Sequence, residues 1–278
     1  MPYEAYIGRS ETRRDEVRPE LGARLAALFD EPAAGTDAPL FPLAHWCLFQ
    51  DWVRHSELGP DGHPARGGFL PPVHDLPRRM WAGGRLTFHA PLRPGLSLAR
   101  TSTIRDIVEK QGGSGRLVFV TLAHRITAGE TLLIEEEQDV VYRGLDAPAV
   151  KPAAPAPPPP ASVFQRRLVP DPVLLFRYSA LTGNGHRIHY DLDYVREVEG
   201  YPGLIVHGPL QASLLAKLLF DHLGRVPARL SFSFRGQRPA FHARPLTLLG
   251  WEESEGQYRL EARDAEGAVT MAASARLL

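Results

Sequence analysis

What this chain has little of narrows the field first. Across 278 residues there is one cysteine, Cys47, so no internal disulfide framework can form, and the thiol reads as a small buried hydrophobe in a reducing compartment. Neither sign of charge is in excess: 32 lysines and arginines stand against 32 aspartates and glutamates, and no long basic run carries interleaved aromatics. That balance argues against nucleic acid or an anionic membrane as partner. Long apolar runs are also missing. The most apolar stretch, near Leu214, is interrupted by Lys217 and is too short to span a bilayer, and the opening residues MPYEAYIGRSETRRDEV lack the apolar core of an export signal. A cytoplasmic protein acting on a small ligand is expected. The histidines lack helical i, i+4 spacing and cysteine company, so no metal is implied, and no cofactor motif is apparent.

Proline, by contrast, is concentrated. The run PAVKPAAPAPPPP, Pro148 to Pro160, can form neither helix nor interior strand and reads as an extended strap. At about 3.1 Å per residue such a strap reaches on the order of 40 Å. It divides the chain into residues 1–147, a linker 148–160, and residues 161–278.

The two halves carry a weak internal repeat. GRLTFHAPLRPG, Gly84 to Gly95, opens a series of apolar-alternating segments separated by glycine turns, and ARLSFSFRGQRPA, Ala228 to Ala240, opens a matching series. Strand, turn, strand, turn, strand in both halves predicts two antiparallel meanders of similar size. Each half also needs a helix. In the second it spans Pro209 to about Leu223, with Gly208 before a proline at the first helical position; in the first the candidates are Arg18 to Phe29 and an aromatic-rich segment from His45 to Arg54. The expected fold class is α+β, a double hotdog: two antiparallel sheets, each wrapped round a central helix, joined edge to edge so that each protects the other's exposed strand.

The densest chemistry lies in RYSALTGNGHRIHYD, Arg177 to Asp191, and GYPGLIVHGPLQASLLAKLL, Gly200 to Leu219. The first packs Asn184, His186, Arg187 and His189 behind a Thr-Gly turn. The second starts a helix that is apolar nearly all round, whose free N-terminal amides suit a developing oxyanion.

The motif TGNGHRIH, Thr182 to His189, resembles the signature of MaoC-like enoyl-CoA hydratases and dehydratases, which reads roughly [ST]-G-D-x-N-P-[IL]-H. With NGHRIHYD and EGYPGLIVHGPL it is more similar to one branch, the type 2 hydroxyacyl-thioester dehydratases, which include mesaconyl-C4-CoA and itaconyl-CoA hydratases. The resemblance implies hydration of the C2–C3 double bond of an enoyl-CoA, with a branched C5 dicarboxylic monothioester as the favoured substrate. It casts His189 as base and acid in turn, with Asn184 orienting water where the broader pattern has a proton-accepting aspartate. Asp191, Asp193 or His186 could stand in for that carboxylate, although Asp191 reads equally well as the cap of a short helix. Gly208 and Leu210 are the oxyanion candidates, their alternative being an ordinary helix start. Arg177, Tyr178, His186, Arg187 and His207 are the substrate-binding candidates. Arg187 is either a fork for the second carboxylate or a surface partner of Asp191 or Glu199. The first half lacks the motif and is cast as shaping the acyl pocket, with Trp81 or Arg85 as lining residues.

The rival readings are a dehydratase of 3-hydroxyacyl groups carried by CoA or an acyl carrier protein, a non-catalytic acyl-thioester-binding protein, and a thioesterase. A homodimer is the assembly left open.

Overall fold

The computed structural model describes residues 3–33, 35–112, 115–144, 154–161 and 163–278. Ten strands form one antiparallel sheet: β1 (Ser10–Glu16), β2 (Arg78–Phe88), β3 (Ser97–Gly112), β4 (Gly115–Ala128), β5 (Thr131–Arg143), β6 (Phe164–Leu168), β7 (Leu230–Gly236), β8 (Leu246–Ser254), β9 (Gln257–Arg263) and β10 (Val269–Leu277). Their order, β1-β3-β4-β5-β2-β7-β10-β9-β8-β6, reads the same from either end once the second half is renumbered. The halves join where β2 pairs with β7, Leu86 opposite Phe232 and Phe88 opposite Leu230. The repeated tetrapeptides, Arg85–Phe88 and Arg229–Phe232, thus lie along the seam.

The described residues form four α-helices, α1 (Glu20–Leu28), α2 (Pro172–Thr182), α3 (Leu192–Glu197) and α4 (Gly208–Leu223), of which α4 packs on the sheet. In α4 every residue from Leu210 to Phe220 is buried, and it packs on β6, β8, β9 and β10. Each fully buried leucine contributes on the order of 2 kcal/mol. The helix stops at Gly224, whose φ of 63° is the left-handed conformation glycine adopts without strain.

The first half holds the α1 helix within the expected Arg18–Phe29 window, but no helix forms over His45–Arg54. The chain makes a short 3₁₀ segment, Pro42–Cys47, and ends it at Phe49, whose φ is 57° and whose N–H donates to Asp15 Oδ2 at 2.6 Å. A captured amide in a left-handed residue cannot continue a helix.

Of the proline strap, residues 148–153 lie outside the described residues. Residues 154–160 run extended along the β9–β10 turn, where Ala156 N–H donates to Gly267 O and Arg263 donates to Pro157 O. No described helix is long and apolar enough to cross a membrane.

A second, smaller core forms where β3, β4 and β5 run on past the seam. Ile104, Ile107, Val118, Val120, Val140 and Tyr142 are covered there by Val73 and Leu76. The covering segment, roughly residues 48–77, continues into the site.

Candidate active site

Helix α2 starts under an Asp171 cap and stops at Gly183, again left-handed with φ 62°. The chain then turns through Asn184, whose Oδ1 accepts from His186 N–H at 3.0 Å, leaving its amide NH2 as the free donor end. A 3₁₀ turn, Arg187–His189, drives His189 inward. His189 Nδ1 donates to the Ile205 carbonyl at 2.7 Å. A carbonyl can only accept, so the neutral ring carries its proton on Nδ1 and keeps a bare lone pair on Nε2.

Three further imidazoles surround it. His207, the residue before α4, stacks on His189 with centroids 3.5 Å apart and 17° between planes, and its Nε2 lies 2.8 Å from Ser179 Oγ. His186 meets His189 edge-on at 5.6 Å and lies 4.2 Å from His63. Burial is the main cause that lowers the proton affinity of all four: His189 to about 4, His186 to about 2, His207 well below the ordinary range, and His63 lowered despite Asp61. His189 and His186 are therefore neutral near pH 7.

His63 comes from the first half. Asp61 Oδ2 accepts from His63 Nδ1 at 3.0 Å and Asp61 Oδ1 from His63 N–H at 3.1 Å. Burial raises the Asp61 carboxyl, but the His63 hydrogen bonds and charge outweigh it and hold the group well below the usual carboxylate range. The loop bearing it is pinned to the motif: Arg187 N–H donates to Asp61 O, and a Cβ on Gly62 would lie 2.1 Å from Gly185 O. Gly62, at φ 86°, is required both by conformation and by that crossing.

These groups face a cavity of about 670 Å³ lined by Asn184, His186, His189, His207, Gly208 and His63, with Trp81 and Met80 among the apolar walls. Gln211 joins the lining from the first turn of α4, where its Oε1 accepts from Thr270 Oγ1 at 2.7 Å. Of the sequence candidates, Asn184, His186, His189, His207, Gly208 and Trp81 therefore converge. Others do not. Arg177 is exposed on the outer side of α2, and Tyr178 is buried behind His207, edge-on at 5.0 Å, because neighbours on a helix point about 100° apart. The Leu210 side chain is fully buried in the core, and its place as an oxyanion candidate rests on its backbone N–H in the first turn of α4. Arg187 turns outward, donating to Asp191 Oδ2 at 2.9 and 2.7 Å and to Pro60 O at 3.1 Å, with its guanidinium 4.2 Å from the Tyr194 ring. Asp191 in turn caps α3 by accepting from Tyr194 N–H. Arg85 lies on the surface, paired with Glu137 and Asp139. Cys47 is buried, its thiol pushed up to about 12 by desolvation, which keeps it protonated and inert.

Sequence reasoning missed Asp61, Gln211 and the pairing of Glu199 with Arg78, where Arg78 Nε donates to Glu199 Oε2 at 2.7 Å inside the cavity wall. The only local signal at Asp61 is the dipeptide Asp61-Gly62, which marks a turn but not where it docks. Asp61, His63 and His186 each place a ligand atom within 4.8 Å of the others, a set that could hold a divalent ion. The Arg79 guanidinium opposes it, since its charge already depresses proton binding at both imidazoles.

Fold and cavity together define a double-hotdog protein. A Phytophthora capsici MaoC-like dehydratase superposes with a TM-score of 0.73 at 20% identity, covering 98% of this chain and 96% of that one, and a Mycobacterium tuberculosis protein described as a double hotdog superposes at 0.59 with 14% identity, covering 98% and 96%. Residues 43–242 match the family described as hydroxyacyl-thioester dehydratase type 2, and the chain belongs to that family. Mesaconyl-C4-CoA hydratase of Chloroflexus aurantiacus is 46% identical over 275 residues, 98% of this chain and 97% of that one. The mitochondrial hydroxyacyl-thioester dehydratase type 2 of Schizosaccharomyces pombe is 26% identical, covering 75% and 77%.

Proposed function

We propose that this protein is a hydro-lyase that reversibly adds water across the C2–C3 double bond of an enoyl-CoA, with mesaconyl-C4-CoA, a branched C5 dicarboxylic monothioester, as its substrate. The observation that carries the reading is His189: a neutral imidazole with a fixed tautomer, its bare nitrogen available to a cavity that also holds the first residue of a buried helix.

Water sits between His189 Nε2 and the amide of Asn184. His189 takes one proton as the water oxygen bonds C3, and the π electrons move to the thioester oxygen. The N–H of Gly208 and the positive end of α4 hold that oxygen. The His189 imidazolium then returns the proton to C2 on the same face, so one group serves both transfers and no carboxylate is needed at position 184. The first half supplies the acyl pocket, through Trp81 and Met80, and the loop carrying His63. The relative named for mesaconyl-C4-CoA, at 46% identity over nearly the full chain, supports the acyl group.

His189→Ala tests it. Loss of enoyl-thioester absorbance on mixing with mesaconyl-C4-CoA should slow by at least about a hundredfold, as expected on removing a general acid–base, with the circular dichroism spectrum unchanged. Near-normal turnover by the folded variant would overturn the assignment.

A further inference from the structure

A dicarboxylic acyl group carries a second anion into a cavity whose walls are partly apolar, and an unpaired carboxylate there is costly. In mesaconyl-C4-CoA that carboxylate is bonded directly to the carbon that water attacks. The cation that meets it must therefore stand beside the imidazoles, not at the far end of the pocket.

Four arginines line the cavity, and two of them face a carboxylate. Arg78 is paired with Glu199. Arg143 donates to the Tyr201 hydroxyl at 2.7 Å, and Arg238 faces Asp264 at 3.7 Å. Nearby Arg66 donates to the carbonyls of Val73, Leu76 and Pro77. Arg79 differs. Among the described residues no carboxylate lies within ion-pair distance of it: Glu199 is taken by Arg78 and Asp61 by His63. It is half-buried on β2 opposite Tyr142, close enough to His63 and His186 to bear on both. It also lines a second pocket, of about 310 Å³, together with Arg66 and Arg100. That pocket also holds Glu11 and Asp51, which pair with Arg13, and Arg100 Nε is buried in its wall without a hydrogen-bond partner.

We propose that Arg79 is the residue that binds the substrate's free carboxylate, and so sets the preference for a dicarboxylic over a simple acyl thioester. This rests on the substrate reading above. A planar guanidinium accepts a carboxylate on two parallel N–H donors, which fixes the acyl group's rotation as well as its charge and presents one face of the double bond to His189.

The test compares thioesters that differ only in that carboxylate. Unreactive succinyl-CoA and butyryl-CoA are bound to wild type, Arg79→Gln and Arg79→Lys, and kcat/KM is measured on mesaconyl-C4-CoA and crotonyl-CoA. Wild type should prefer succinyl-CoA. In Arg79→Gln that preference should collapse by about a hundredfold, as when a buried charge loses its partner, with kcat/KM for mesaconyl-C4-CoA falling in step and that for crotonyl-CoA falling tenfold or less. Arg79→Lys should restore part of the loss, because it keeps the charge without the fork. Equal losses on both pairs, or an undisturbed succinyl-CoA preference, would overturn the role of Arg79 while leaving the substrate reading intact. Wild type that neither turns over mesaconyl-C4-CoA nor prefers succinyl-CoA would overturn both.

Discussion

The two halves share one strand order and fill it differently. In the second, α4 lies on β10 strand residues Met271, Ala273 and Ala275, whose small or pliable side chains leave room for a helix that is buried from Leu210 to Phe220. In the first, no described helix packs on the sheet in this way, and β5 presents Ile134, Glu136 and Gln138 instead. Glu136 accepts from His45 Nε2 at 3.0 Å, Trp46 Nε1 at 2.8 Å and Gln138 Nε2 at 3.0 Å, so two side chains of the 3₁₀ segment stand over the sheet on a buried carboxylate. The difference has a chemical consequence. The first half's helix, α1, packs on α2 and not at the cavity, so that half aims no aligned amides at an oxyanion there, and the chain that leaves the 3₁₀ segment after Cys47 travels across to the other half, bringing Asp61 and His63.

The sharpest way to break this contrast is to remove the group that replaces the helix. Glu136 is fully buried, and its carboxyl is held down at about 2: burial pushes it up, but His45 outweighs that. Glu136→Ala strands His45, Trp46 and Gln138 without an acceptor, and should cost about 3–5 kcal/mol, the range for breaking a buried charged network. Urea unfolding measures it. Because Glu136 does not line the cavity, kcat below the unfolding transition should stay within about threefold of wild type. A mild stability loss would mean that the apolar contacts of Trp46 with Trp81 and Phe234 carry this half alone.

Next in size is the crossing between halves. Gly62→Ala forces a Cβ into Gly185 O in a left-handed residue, so one of the two loops must move. A displacement of about 1 Å at a reacting group costs on the order of a hundredfold in rate, and kcat/KM should fall by about that much with only a modest change in unfolding midpoint. If activity survives, the first half's loop is packing only and the two halves are less interdependent than the geometry implies.

A third test separates stability from chemistry by pH. The His189, His186 and His124 rings are lowered by burial to about 4, 2 and 4, against an ordinary value of 6.5. Below 6.5 the unfolded chain takes up protons at these sites and the folded one does not, so the stability they contribute is complete above 6.5 and is lost as pH falls toward 4. Glu136 adds a later loss, from 4.5 toward 2. Unfolding midpoints should therefore drop between pH 7 and 5. Over the same interval kcat/KM should stay flat, since His189 remains neutral until about 4. A rate that falls with a midpoint near 6.5 would place the working base outside this cluster.

How much of this was legible in the sequence follows from the range of the signals. The meander strands, the start of α4 at Gly208-Pro209 and the inward His189 all rest on local patterns, and all appear. Arg187 and His189 could not be sorted by spacing, because in a 3₁₀ turn residues two apart point away from one another. Arg177 and Tyr178 were ambiguous for a related reason: α2 carries apolar residues round most of its surface, with Val173 and Phe176 exposed and Leu175 buried. The first half's helix failed at Phe49 through a side chain, Asp15, that lies 34 positions away. Asp61 and Arg79 are separated from the motif by more than a hundred residues, and only the folded seam joins them.

The smallest effect belongs to the residue that the motif made most conspicuous. Arg187 occupies the motif beside His189, yet its guanidinium is committed to Asp191, Pro60 O and the face of Tyr194, on the outside of the site. An exposed pair of this kind contributes little. Arg187→Ala should therefore lower kcat/KM for mesaconyl-C4-CoA and for crotonyl-CoA alike, by about threefold or less, through slackening of the Pro60–His63 loop. The ratio between the two substrates is the measurement that matters. A ratio held constant in Arg187→Ala and collapsed in Arg79→Gln assigns carboxylate recognition to the half without the motif. A ratio that collapses in Arg187→Ala would return it to the half that carries the chemistry.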